Sequence, residues 1–135
     1  MTTVTHILPD KLEDVWAQVS PLIDSAQAHA PAQADYHAIL SSGEMGLYVV
    51  SRNPSTIDGV MVCQFVDVPG ERVLRIVIMA GMTRDETIAI MKPLGVVAKT
   101  YGASAIEAFG RKGFLKWCTG TGFKPIHTVY RCEVE

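Results

Sequence analysis

The sequence predicts a mixed α/β domain, an antiparallel meander extended by crossover strands, with helices packed against the sheet. Three observations predict it. Apolar residues recur at three- and four-residue steps from Leu12 to Ala26, the spacing of one helical face. Three strand-like runs rich in β-branched residues follow between residues 46 and 80, separated by tight-turn residues. A capping box, Thr83-Arg84-Asp85-Glu86, then opens a second long helical pattern, after which strand and helix signals alternate.

Taken in order, residues 4–8 alternate in part and read as a short edge strand. Pro9-Asp10 is a helix start with Asp10 as the cap. Leu12, Val15, Trp16, Val19, Leu22, Ile23 and Ala26 line the buried face, and Pro21 predicts a bend or break. Pro31 separates a second helix over 33–42, ended by Gly43. Residues 46–52 form a strand, Asn53-Pro54-Ser55 a turn, and Ile57 to Val66 the next strand. Pro69-Gly70-Glu71 turns the chain again. Residues 73–80 then make a nearly continuous apolar run, which suits a central strand covered on both faces. The helix opened by Thr83 buries Ile88, Met91, Leu94, Ala98 and Tyr101; Pro93 and Gly95 predict a kink near Lys92, and Gly102 closes it. A strand over 103–109, a helix over 112–120 and a last strand from Ile126 to Val134 complete the chain. The order is strand, two helices, three strands, helix, strand, helix, strand, in one domain spanning residues 1–135.

Composition bounds the function. With 48% apolar and 19% charged residues in 135, the chain has enough apolar surface to bury a core without a disulfide or metal. The formal net charge of -2 excludes a global attraction to nucleic acid or anionic lipid. Arg111, Lys112, Lys116 and Lys124 form a local basic cluster only. Cys63, Cys118 and Cys132 make no CxxC pair, so the sequence predicts no metal site and free thiols in a reducing compartment. With neither a signal-peptide pattern at the start nor an apolar run long enough to span a membrane, the expected location is cytoplasmic. His6, His29, His37 and His127 are scattered and read as surface or satisfied core residues. Trp16, Trp117 and Phe123 read as core.

The C-terminal third carries a resemblance. Ala98-Lys99-Thr100-Tyr101-Gly102, then Ile106-Glu107-Ala108-Phe109-Gly110-Arg111, then Lys116-Trp117-Cys118 and Gly122-Phe123-Lys124 resemble the pattern of the GNAT family of N-acetyltransferases, whose element order the whole chain also matches. Gly110-Arg111-Lys112-Gly113-Phe114 resembles, in addition, small acetyltransferase-like proteins encoded by tailed bacteriophages. The family likeness implies an acyl-coenzyme A cleft where the fourth and fifth strands part. It implies that acetyl-CoA lies there, with its pantetheine arm along the backbone of Met79, Ala80 and Gly81. Its pyrophosphate would sit at the start of the helix beyond, where Thr83 and Arg84 lie, because unpaired N–H groups and the helix dipole attract anions.

This loop departs from the family's glycine-rich pattern. It has one glycine, Gly81, and it places Asp85 and Glu86 in the first turn, where two carboxylates repel a pyrophosphate. A weakened or lost cofactor site is the expectation. Where the family carries a tyrosine as acid, four residues before the glycine of the Gly-Phe pair, this chain has Cys118. A thiol can protonate a leaving thiolate, and Cys118 is equally suited to packing. Glu71 is the candidate base, with Asp67 behind it. Glu107 and Arg111 either face the cleft or bridge strand to helix.

Two readings follow. One is acetyl transfer from acetyl-CoA to a small-molecule or protein amine. The other is a non-catalytic module that binds phage or host proteins, in the host cytoplasm or the virion. A homo-oligomer through the exposed sheet is compatible with either.

Overall fold

A computed structural model describes residues 2–28, 33–108, 122–126 and 132–134. Within them a five-stranded sheet has the order β1 (Thr3–Ile7), β2 (Gly46–Ser51), β3 (Gly59–Val68), β4 (Glu71–Ala80), β5 (Ala105–Ala108). Strands β2, β3 and β4 pair antiparallel as the expected meander, β1 pairs antiparallel with β2, and β5 joins β4 in parallel. That last pairing requires a crossover, which α3 (Arg84–Thr100) supplies.

Each face of the sheet buries its own apolar cluster. On one side α1 (Leu12–Gln27) and α2 (Tyr36–Ser42) set Leu12, Val19, Ile23, Tyr36 and Leu40 against Leu47, Val49, Val60 and Val62. On the other α3 sets Ile90, Leu94 and Ala98 against Tyr48, Val50, Met61, Cys63 and Leu74. Strands β2 and β3 alternate strictly between the two clusters, as a pleated strand covered twice must.

The helices correct several expectations in detail. Pro9–Lys11 is a separate 3-10 turn; Leu8, not Asp10, is its N-cap residue, and no side chain caps it. Helix α1 runs through Pro21 without a break. Pro21 lies on the solvent side, while Val19 and Ile23 anchor the turns around it in the core, which offsets the one missing N–H donor. Helix α3, expected to kink near Lys92, runs unbroken through Pro93 and Gly95. Its buried face is Thr87, Ile90, Leu94 and Ala98, and Tyr101 is 58% exposed. Thr87 is buried because its hydroxyl donates to the Thr83 carbonyl at 3.0 Å. The third strand begins at Gly59 rather than Ile57. Gly43 and Gly102 end their helices at positive φ as the sequence implies. Trp16 and Phe123 pack at the edges of the two clusters. The expected helix over 112–120, with Trp117 and Cys118, lies outside the described residues. So does residue 127–131 of the expected last strand; Ile126 and residues 132–134 lie outside regular structure.

Candidate functional site

The junction of β4 and α3 is the most elaborately bonded surface among the described residues. Gly81 turns the chain out of β4 at φ +80°, and an added Cβ would stand 2.2 Å from the Asp58 carbonyl oxygen. Only glycine fits so close a crossing at that φ. Thr83 then caps α3 reciprocally. Its Oγ1 accepts the Glu86 N–H at 3.1 Å, and Glu86 Oε1 accepts the Thr83 N–H at 2.9 Å. This is the capping box read from the sequence.

Arg52, just beyond β2, completes the cluster. Its Nε donates to Glu86 Oε2 at 2.8 Å, and its Nη2 donates to Glu86 Oε1 at 2.7 Å and to the Gly81 carbonyl at 3.0 Å. Such a two-pronged pair is the strong form of charge-assisted bonding. Arg52 is itself placed by its own N–H, which donates to Asp58 Oδ2 at 2.7 Å. The Arg52 bonds first, and then the Thr83 N–H, pull the Glu86 carboxyl down to about 2. Glu86, in turn, holds the Arg52 guanidinium above its ordinary value. Sequence reasoning grouped Asp85 with Glu86 as two carboxylates repelling an anion. In the fold their roles differ: Asp85 is exposed, while Glu86 lies folded into the helix end. Arg52 was missed, because a partner 34 positions upstream leaves no local signal.

Strand β4 carries a second irregularity. In its pairing with β3, Val62 faces Ile78 and Cys63 faces Ile76. Val77 is therefore the extra residue of a β-bulge. One inserted residue reverses every side chain beyond it: Leu74 and Ile76 enter the α3 cluster, whereas Ile78 enters the α1 cluster. Among the described residues, strand β5 pairs with β4 over Val73–Ile76. Beyond the bulge, from Val77 to Ala80, β4 has no strand beside it on that edge among the described residues. Just before the bulge, Arg75 Nη2 donates to Glu107 Oε1 at 3.0 Å across the β4–β5 pair, each side chain about a quarter exposed (26% and 25%). Of the two roles open to Glu107, the structure shows the strand-to-strand bridge, with Arg75 and not Arg111 as partner; Arg111 lies outside the described residues.

The other sequence candidates scatter. Met79 and Ala80 end β4 and Gly81, Thr83 and Arg84 follow in the junction just described. Glu71 begins β4, accepting a bond from Ser104 Oγ at 2.7 Å, roughly 30 Å along the strand from Gly81 at about 3.3 Å per residue. The structure does not bring the two together. Asp67 pairs with Arg72 at 3.6 Å in the β3–β4 turn. His37 bonds Glu13 and meets the edge of Trp16. A separate cleft of about 310 Å³ opens beside the C-terminal end of α3, lined by His6, Tyr48, Cys63, Phe65, Leu74 and Tyr101. His6 stacks on Tyr48 there, and burial, followed by the neighbouring Cys63 and Tyr101, pushes the Tyr48 hydroxyl up.

Among solved structures the chain is similar to a probable acetyltransferase, with TM-score 0.73, 10% identity and 98% of each chain covered. It is similar to the ribosomal-protein-alanine N-acetyltransferase of Brucella melitensis biovar Abortus 2308, with TM-score 0.71, 12% identity and both chains covered in full. It also resembles an aminoglycoside acetyltransferase from an uncultured soil metagenomic sample, solved in complex with sisomicin: TM-score 0.69, 11% identity, 98% of this chain and 97% of that one. The fold is that of the GNAT acetyltransferases. No family model matches the sequence, and no curated protein does.

In the GNAT fold the donor implied by the resemblance is acetyl-CoA, and the junction tests whether it fits. The bulge at Val77, just before Met79, Ala80 and Gly81, fits the place that the resemblance implies for a slender thioester arm. The helix end does not fit a pyrophosphate. The Thr83 and Glu86 N–H groups are already bonded, and the Arg52 guanidinium beside them is already paired with a carboxylate.

Proposed function

We propose that this chain transfers an acyl group from a thioester, acetyl-CoA among them, to the amine of a small molecule or protein. The observation that carries this reading is the bulge at Val77. Bulges of this kind concentrate beside active sites, where they re-aim side chains and end strand pairing. The thioester supplies an activated acyl carbon and a thiolate leaving group. The chain supplies placement and proton handling.

The backbone of Met79, Ala80 and Gly81, just beyond the bulge, holds the pantetheine arm. Glu107, two positions before the bulge in the β4 register and bonded to Arg75, draws the ammonium of the acceptor and takes its proton. This role moves to Glu107 from Glu71, whose place at the start of β4 is remote from the bulge. Cys118 is retained from the sequence as the acid that returns a proton to the leaving thiolate.

The test is release of free thiol from acetyl-CoA and from S-acetylpantetheine in the presence of a panel of amines. Activity should appear, and Glu107→Gln should lower kcat by about a hundredfold, the scale of a general base, with KM little changed. No thiol release from either donor would sink the proposal. A second reading is favoured by one observation, the carboxylate lodged at the start of α3. It makes the chain a non-catalytic protein-binding module, of phage or cellular origin, that kept the fold. A melting temperature unmoved by either thioester, with no transfer, selects that reading, since a ligand of the native state must raise it.

A further inference from the structure

We infer that Glu86 is a built-in anion standing where a donor's phosphate would lie, so that this chain recognises its donor by the pantetheine arm and not by the nucleotide. The inference rests on the acyl-transfer reading for its donor, but its core concerns one carboxylate. Four hydrogen bonds define the arrangement. Glu86 accepts the Thr83 N–H and two bonds from Arg52, and its own N–H is taken by Thr83 Oγ1.

An anion arriving at a helix start needs N–H groups, a positive end of the dipole and, ideally, an arginine. Here the Thr83 N–H and the Arg52 guanidinium are spent on Glu86, whose own N–H is spent on Thr83 Oγ1, and the carboxylate sits at the positive end of the dipole. Its side chain is only 12% exposed, against 47% for Arg52, so the carboxylate lies inside and the guanidinium covers it. Displacing it would unmake the capping box and the paired fork at once, and would bring a second negative charge beside Asp85. At the loop's start Gly81 packs against the Asp58 carbonyl, where even a methyl group has no room. The fitting donors are therefore acyl-pantetheine thioesters in general, with the adenosine diphosphate portion of coenzyme A left outside the protein's grip.

The test reads phosphate binding directly, with ADP as probe in calorimetric titrations at low ionic strength. Wild type should show no saturable binding up to several millimolar. Glu86→Ala, which frees the Thr83 N–H and Arg52, should bind at least tenfold more tightly. Glu86→Gln keeps the capping bond and removes only the charge; it should gain at least threefold, and it decides the matter if the alanine variant does not fold. Arg52→Met, leaving Glu86 in place, should bind no better than wild type. Submillimolar binding by wild type, tighter binding by Arg52→Met, or no gain in a folded Glu86 variant overturns the inference. On the transfer side, kcat/KM for acetyl-CoA and S-acetylpantetheine should agree within about threefold in wild type, and a large preference for acetyl-CoA also overturns it. Absence of transfer from both donors would refute the acyl-transfer proposal alone, because the ADP titrations still judge Glu86.

Discussion

Replacing Gly81 by alanine isolates the close crossing that builds the β4–α3 junction. At φ +80° an L-residue costs roughly 1–2 kcal/mol relative to glycine. The new Cβ would also stand 2.2 Å from the Asp58 oxygen and 3.0 Å from Gly59 Cα. Both are backbone atoms, so no rotamer change relieves the overlap, and overpacking of this kind costs about 1–3 kcal/mol. The stiffer unfolded chain returns roughly 0.4–1 kcal/mol. The net loss should be about 2–4 kcal/mol by these increments. For a domain of this length that is a Tm lower by roughly 10 °C. Gly102 provides the control, since its φ of +82° is nearly the same and nothing lies within 4 Å of its would-be Cβ. Gly102→Ala should lose only the dihedral part, about 1 kcal/mol. Urea unfolding of both variants, with m-values compared to wild type, measures the difference. Equal losses in the two variants would refute the claim that contact with Asp58, rather than φ alone, demands glycine at position 81.

Two further outcomes follow from the charges and thiols. Because the folded-state pKa of Glu86 is depressed to about 2, the stability it contributes is complete above the ordinary carboxylate range and fades as pH falls. The excess stability of wild type over Glu86→Gln, measured by denaturant titration, should therefore close between roughly pH 5 and pH 2; a constant difference would contradict the pairing with Arg52. Burial pushes the Cys63 thiol up to about 12, which leaves a thiolate fraction of about one in ten thousand at pH 8. Exposed Cys132 should then alkylate readily in the native state, and Cys63 only when the protein is unfolded, as peptide mapping after labelling would show. Prompt labelling of Cys63 in the native state would mean that its strand opens locally.

Much of the architecture was legible in local patterns. The α1 face from Leu12 to Ala26, the three runs of the meander, the Thr83 capping box and the glycines ending α2 and α3 each follow from spacing or conformation within a few residues, and the structure retains them. The errors were local too. Pro21 is expected to bend or break α1, but the helix runs through it, because packing of the neighbouring turns outweighs one missing hydrogen bond. Tyr101 was assigned to a buried face that Thr87 and Ile90 occupy instead, because a helix's apolar stripe does not announce which of its edges the sheet will cover.

The site depended on contacts that sequence spacing does not encode. From the sequence alone come a mixed α/β domain, a capped helix after the central strand, a loop poor in glycine, and two carboxylates in its first turn. Only the tertiary structure separated those carboxylates, by bringing Arg52 across from β2 to Glu86 and leaving Asp85 in solvent. Only the register of β3 against β4 revealed the bulge at Val77, since an unbroken apolar run reads the same with or without an extra residue. Likewise, Arg75 and Glu107 are 32 positions apart and become partners through strand pairing. The division has a physical basis. Hydrophobic period, capping and turn chemistry act between near neighbours, whereas a charge pair or a strand register joins segments that only the fold brings within a few ångströms.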